Sequence, residues 1–220
     1  EDRMQEFKLL IKRTHEAGLK VLIDFVPNHV ARDYGRTSVS PEHPVLGAED
    51  DRNVHWRPEN DFYYYVGERL KLPTEAPEGM DDYYEFPAMA TGNNCFTPTP
   101  GVNDWYETIK INYGDEYTPT WEKMWDIIDF WASAGVDGFR CDMVELVPPQ
   151  FFKWLISRAK EKFGNLIFIA EVYKKELYRE YISNIGFDYL YDKSGLYDTL
   201  RSIVEKAVND NGMPVELWQS

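Results

Sequence analysis

Three short apolar runs, each preceded by an amphipathic stretch that a glycine closes, constrain the fold of this chain more than any other feature. Residues 19–26, 136–142 and 166–170 are nearly continuous in apolar side chains, as strands buried on both faces are. Ahead of the first run, Met4, Phe7, Leu10 and Ile11 recur at helical spacing, and Gly18 stands where a C-terminal cap belongs. Ahead of the second, Thr118 can cap a helix and Pro119 suits its first turn. Trp121, Met124, Trp125, Ile128 and Trp131 form its apolar stripe, and Gly135 ends it. Ahead of the third, Pro148 and Pro149 open a helix that turns Phe152, Leu155, Ile156 and Ala159 inward, with Gly164 after its end. The pattern then predicts a helix over 174–185 closed by Gly186, a strand over 187–191 and a last helix over 196–208. Strands alternating with helices specify an α/β fold around a parallel sheet. In a (β/α) barrel the C-terminal ends of such strands surround one shared mouth.

Between the first strand and Thr118 the regularity disappears. Residues 31–117 are rich in Pro, Asn, Asp, Gly and Tyr, and the stretch is too long for a simple loop in a compact domain. It reads as an inserted subdomain, which divides the chain into 1–30, 31–117 and 118–220. The tyrosines and tryptophan of this insertion (Tyr63, Tyr64, Tyr65, Tyr83, Tyr84, Trp105, Tyr106) fit sugar-stacking platforms or, for most of them, the small core of the subdomain. A formal charge of -14 and a pI near 4.7 disfavour nucleic acid and an anionic membrane surface as partners. No apolar run approaches the length of a membrane span, so a soluble chain is expected, with its compartment unassigned. Cys95 and Cys141 show no metal spacing and are expected to be free thiols.

The chemistry gathers at the strand ends. Side chains alternate along a strand, so Arg140 and Asp142 share a face. The guanidinium favours the ionised carboxylate, the form a glycosidic nucleophile needs. Glu171 ends the next strand behind Phe168, Ile169 and Ala170. Partly apolar surroundings suit a general acid. A retaining mechanism needs two such carboxyls about 5 Å apart, which neighbouring strand ends supply. The same residues taken alone also fit an Arg–Asp ion pair beside an unrelated surface glutamate. His29 and Asn28 lie just past the end of the first strand. His29 can donate to a sugar hydroxyl, or serve only as a hydrogen-bonded structural group. Asn28 can offer an amide oxygen to a hard cation such as calcium. Asp24, inside the strand, is expected to orient backbone or Arg140.

The segments DFVPNH (residues 24–29), GFRCD (138–142) and IAEVY (169–173) resemble, in order, three signature regions of glycoside hydrolase family 13, the α-amylase family. KINYG (110–114) resembles the Asn-centred segment of that family. The resemblance implies a partial (β/α)8 TIM barrel, about strands three to six, with the insertion as domain B. It implies an α-glucan or malto-oligosaccharide substrate and retention of configuration. Asp142 would be the nucleophile and Glu171 the acid/base. Arg140 would hold the nucleophile, His29 would bind the sugar, and Asn28 would be a calcium ligand in members that bind calcium. Many members carry a Lys-His pair three and four residues after the nucleophile, where this chain has Glu145 and Leu146. That departure points to an altered acceptor-side subsite and bears on any calcium bond from the Leu146 carbonyl. The family's fourth region, with its transition-state Asp, has no counterpart before Ser220. The chain is therefore expected to be an internal, catalytically incomplete piece that self-associates through open sheet edges. A transglycosylase, a non-catalytic amylase-like carbohydrate-binding or interaction protein, and an unrelated metal-dependent barrel using His29 are the competing functions.

Overall fold

The computed structural model describes residues 2–33, 45–73, 83–191 and 193–209. Helix α1 (Asp2–Glu16) leads to β1 (Leu22–Phe25), β2 (His29–Ala31), β3 (Tyr64–Tyr65), β4 (Ala88–Met89) and β5 (Thr108–Lys110). Then follow α2 (Pro119–Ser133), β6 (Gly138–Cys141), α3 (Pro149–Phe163), β7 (Ile167–Ala170), β8 (Tyr189–Leu190) and α4 (Asp198–Asn209). A four-stranded sheet in the order β1-β6-β7-β8 is parallel throughout. The chain between β1 and α2 forms two antiparallel pairs, β2 with β5 and β3 with β4.

Helices α2 and α3 pack on the sheet with the stripes the sequence predicts. Trp121, Met124, Trp125 and Ile128 of α2 are buried, as are Phe151, Phe152, Leu155, Ile156 and Ala159 of α3. Phe139 of β6 stacks on Phe168 of β7 with centroids 5.7 Å apart. Gly138 is required by this packing rather than by its backbone angles. A Cβ there would lie 2.1 Å from the Ile167 carbonyl oxygen on β7. Asp137 closes the entry to β6. Its Oδ2 accepts from the Val21 N–H at 2.7 Å and from His15 Nε2 at 2.7 Å, which ties the end of α1 to the sheet.

Three expectations change on contact with the structure. Residues 19–21 precede the first strand instead of belonging to it, and Leu19 is exposed. Residues 174–185 do not form an α-helix. They form a short 3-10 turn (Lys175–Leu177) and a π-helical turn (Glu180–Ile185) that buries Tyr181 and Ile185. The N–H groups of both Gly186 and Phe187 donate to the Tyr181 carbonyl, and Gly186 takes a φ of 104° to end the turn. The strand expected over 187–191 is confined to Tyr189–Leu190. His29, just past β1, opens β2 in register with Lys110 of β5.

The inserted segment is anchored by buried polar groups. Asp61, fully buried, accepts from Lys123 Nζ at 2.6 Å, Thr120 Oγ1 at 2.8 Å and the Gly47 N–H at 2.7 Å. It thereby fastens the segment to the start of α2. Asn112 satisfies its whole amide. Its Nδ2 donates to the Arg57 and Asn60 carbonyls, and its Oδ1 accepts from Trp56 Nε1 and the Gly114 N–H. The Asn-centred segment singled out in the sequence is thus a structural clasp. Tyr64 is in the core and hands its hydroxyl to Asp50 at 2.9 Å. Both cysteines are free, and burial pushes the Cys141 thiol well up. No helix among the described residues is long and apolar enough to cross a membrane.

Candidate active site

Parallel pairing of β6 with β7 sets Cys141 beside Ala170, so the next residues, Asp142 and Glu171, leave the sheet side by side. The two side chains lie close enough for Glu171 to raise the Asp142 carboxyl. Arg140 ties them together: Nη1 donates to Asp142 Oδ1 at 2.6 Å and Nη2 lies 3.0 Å from Glu171 Oε1. Asp24 of β1 stands 3.7 Å from the same guanidinium, and the Tyr191 ring lies beneath it at 5.3 Å. One guanidinium thus faces three carboxylates from three neighbouring strands. The alternative of an unrelated surface glutamate is excluded, because the Glu171 side chain is only 4% exposed and paired to Arg140.

The electrostatics follow from burial and crowding. Burial and the Glu171 side chain push the Asp142 carboxyl up, and Arg140 opposes them. Two neighbouring carboxyls disfavour each other's ionisation, which is the direction in which Glu171 moves Asp142. Glu171 also accepts from Tyr173 Oη at 2.8 Å and from the Met143 N–H at 3.2 Å. Met143 adopts a left-handed conformation at φ 48°, uncommon for its type, which turns its N–H toward Glu171. Glu145 Oε1 accepts from the N–H groups of Tyr173 and Lys174 at 2.6 and 2.7 Å. Glu145 therefore pins the loop that carries Tyr173.

Asp142, Met143, Glu171 and Tyr173 line a cavity of about 590 Å³ together with His29, Trp105, Tyr106 and neighbours from the inserted segment. His29 packs edge-on to Trp105 at 5.5 Å. Burial, and then the nearby Lys110, lower its pKa and favour the neutral ring. Asn28 Nδ2 contacts His29 Nδ1 at 3.1 Å. An amide nitrogen only donates, so Nδ1 accepts and Nε2 carries the hydrogen. Behind the ring sits Gly92, where a Cβ would come within 2.8 Å of His29 Cβ.

All four residues expected to act on substrate are brought together: Asp142, Glu171 and His29 line one cavity, and Arg140 pairs with both acids. Asn28 is placed differently. It is fully buried, its Nδ2 donates to the Gly92 carbonyl at 2.7 Å, and its Oδ1 accepts from Lys110 Nζ. The expected calcium contact does not fit this arrangement, because an amine already fills the one oxygen Asn28 has to offer. Trp105 and Tyr173 line the cavity, positions to which no single aromatic residue was assigned from the sequence. The i, i+2 spacing of Tyr173 from Glu171 is the signal for it. Trp105 and Tyr106 carry no signal that separates them from the core tyrosines of the insertion.

A parallel sheet flanked by helices thus carries an Arg-bridged Asp–Glu pair at adjacent strand ends, with His29 lining the same cavity. The chain belongs to the α-amylase family: the family's model, described as the α-amylase catalytic domain, matches residues 3–166. It is similar to the α-1,4-glucan:maltose-1-phosphate maltosyltransferase of Corynebacterium glutamicum, 24% identical over 151 residues, covering 68% of this chain and 22% of that one. The enzyme of the same name from Rhodospirillum rubrum is 23% identical over 214 residues, covering 94% and 24%. Among solved structures, an α-amylase from Lactobacillus plantarum aligns with a TM-score of 0.56 at 21% identity, over 92% of this chain and 39% of that one. A γ-CGTase from Alkalophilic bacillus clarkii aligns with a TM-score of 0.59 at 19% identity, over 92% and 26%. At these identities the structural likeness is one of fold. The chain spans about a quarter of the length of the curated relatives it matches.

Proposed function

We propose that the full-length protein carrying this chain cleaves α-1,4-glucosidic bonds of α-glucans with retention of configuration. The observation that carries the reading is the Asp142–Glu171 pair, bridged by Arg140 and opening on a cleft that His29 faces. Asp142 attacks the anomeric carbon while Glu171 gives its proton to the departing glycosidic oxygen. The bond from Asp142 to the sugar forms as the bond to the leaving oxygen breaks. Glu171, now ionised, takes a proton from the incoming acceptor, which displaces Asp142 and completes the second displacement. Sugar entering the cleft separates the two carboxyls. Glu171 is the more buried of the two, 4% against 21% exposed. Burial disfavours charge, which suits Glu171 to the acid role, while Arg140 supports the ionised form of Asp142. The Nε2–H of His29 donates to a hydroxyl of the bound sugar, and Trp105 beside it offers a flat face to the ring.

The acceptor decides between hydrolysis and transfer. Transfer is the second reading, favoured by the names of the maltosyltransferases and by Glu145, which ties down the loop bearing Tyr173 on one wall of the cleft. The test is release of reducing ends from maltoheptaose by the full-length protein and its Asp142→Asn variant, followed by product sizing with and without maltose 1-phosphate. Activity in the parent and at least ~10³-fold loss in the folded variant is the expected result. Shorter products throughout mark a hydrolase, and products longer than the starting sugar mark a transferase. A variant that retains turnover removes Asp142 as nucleophile.

A further inference from the structure

We infer that the Lys110 ammonium is a built-in substitute for a divalent cation at the junction of β1, β5 and the loop after β6, so that this junction orients His29 without calcium. Two oxygens of the kind calcium prefers converge there: Asn28 Oδ1, just beyond β1, and the Leu146 carbonyl, just beyond β6. Lys110 Nζ stands between them, donating to both, the second at 2.6 Å. Lys110 and Asn28 are 6% and 0% exposed, so water does not compete for these bonds.

The donor set argues for an amine over a metal ion. Calcium takes six to eight oxygens, usually with carboxylates among them. Here the two converging oxygens are neutral carbonyls. Among the described residues no cluster of three or more His, Cys, Asp or Glu side chains is placed to hold a metal. A divalent ion would find no cluster of carboxylates there among the described residues, whereas Lys110, its pKa lowered by burial to about 7, brings directional N–H groups to two neutral acceptors. Lys110 is also rooted in the partner strand of β2, directly opposite His29, so its stem reaches the junction from a fixed backbone.

The contact has a consequence for the site. With Oδ1 of Asn28 held by Lys110, its Nδ2 must point the other way, to the Gly92 carbonyl and His29 Nδ1. The amide orientation fixes the imidazole tautomer and leaves Nε2–H for the cleft. Lys110 is thus a positioning residue acting through Asn28.

Crystals of the full-length protein grown with calcium test this directly. The expected result is side-chain density for Lys110 between Asn28 and Leu146, with no anomalous calcium peak there. A peak at that point with Lys110 displaced overturns the inference. In solution, Lys110→Met should melt several degrees lower than the parent, while the parent melts identically with excess EDTA and with millimolar calcium when no calcium is held elsewhere. An unchanged melting temperature in Lys110→Met overturns the proposal too. Should that variant fail to fold, the crystallographic arm on the unaltered protein decides. A calcium peak would leave the glycosidase reading standing, and Asp142-independent turnover would leave this inference standing.

Discussion

Arg140 is the residue on which the site turns, because its guanidinium touches both carboxyls of the Asp142–Glu171 pair. Burial and the Glu171 side chain raise the Asp142 carboxyl, and the guanidinium holds it down. The acidic limb of kcat/KM should therefore lie above the pH at which an ordinary aspartate ionises. Arg140→Gln removes the stabilising cation and should move that limb to still higher pH, besides lowering turnover; a pH–rate profile checks the direction, and a limb shifted to lower pH would refute it. Arg140, Asp142 and Glu171 were all legible in the sequence, since period-two alternation and the ends of apolar runs depend only on local geometry. The sharing of one guanidinium by the two acids was not, because contact between residues 29 positions apart depends on sheet register. Gly138 shows the same limit. Nothing beside it in the sequence announces that the Ile167 carbonyl would lie 2.1 Å from a Cβ. Gly138→Ala should cost at least the ~1–3 kcal/mol of an overpacked core; an unchanged urea midpoint would contradict the close approach.

Among elements, α2 and α3 were read nearly residue by residue, because stripe, proline and closing glycine agree. The segment 174–185 was not. Its apolar spacing suits a helix, yet Tyr181 and Ile185 both reach the core through a π-helical turn whose last N–H groups share the Tyr181 carbonyl. Tyr181 also donates to the Val144 carbonyl at 3.1 Å, a tertiary demand that local propensity does not contain. The inserted segment depends on buried polar anchors more than on long strands. Asp61 gathers Lys123, Thr120 and the Gly47 N–H away from water. Asp61→Ala leaves a buried ammonium unpaired and should destabilise the fold by about 3–5 kcal/mol. Equilibrium denaturation measures this, and a loss under ~1 kcal/mol would mean that Lys123 finds solvent instead.

For the whole molecule, the parallel sheet ends at β1 on one side and β8 on the other. Leu200, Ile203 and Val204 of α4 are exposed as well. Unpaired strand edges and uncovered apolar faces favour association. This chain expressed by itself should self-associate; light scattering that shows a monodisperse monomer, with a cooperative melt, would count against it. The sequence alone determined the α/β alternation, the parallel sheet and the placement of Asp142 and Glu171 at neighbouring strand ends. Each of these follows from periodicity and from residues adjacent along the chain. Tertiary structure decided which oxygen Lys110 fills, which aromatic residues of the insertion face the cleft, and how Arg140 divides itself between two acids. Those are contacts between residues up to 82 positions apart, as Lys110 and Asn28 are. The chain's path through space brings them together, and no spacing along the sequence encodes it.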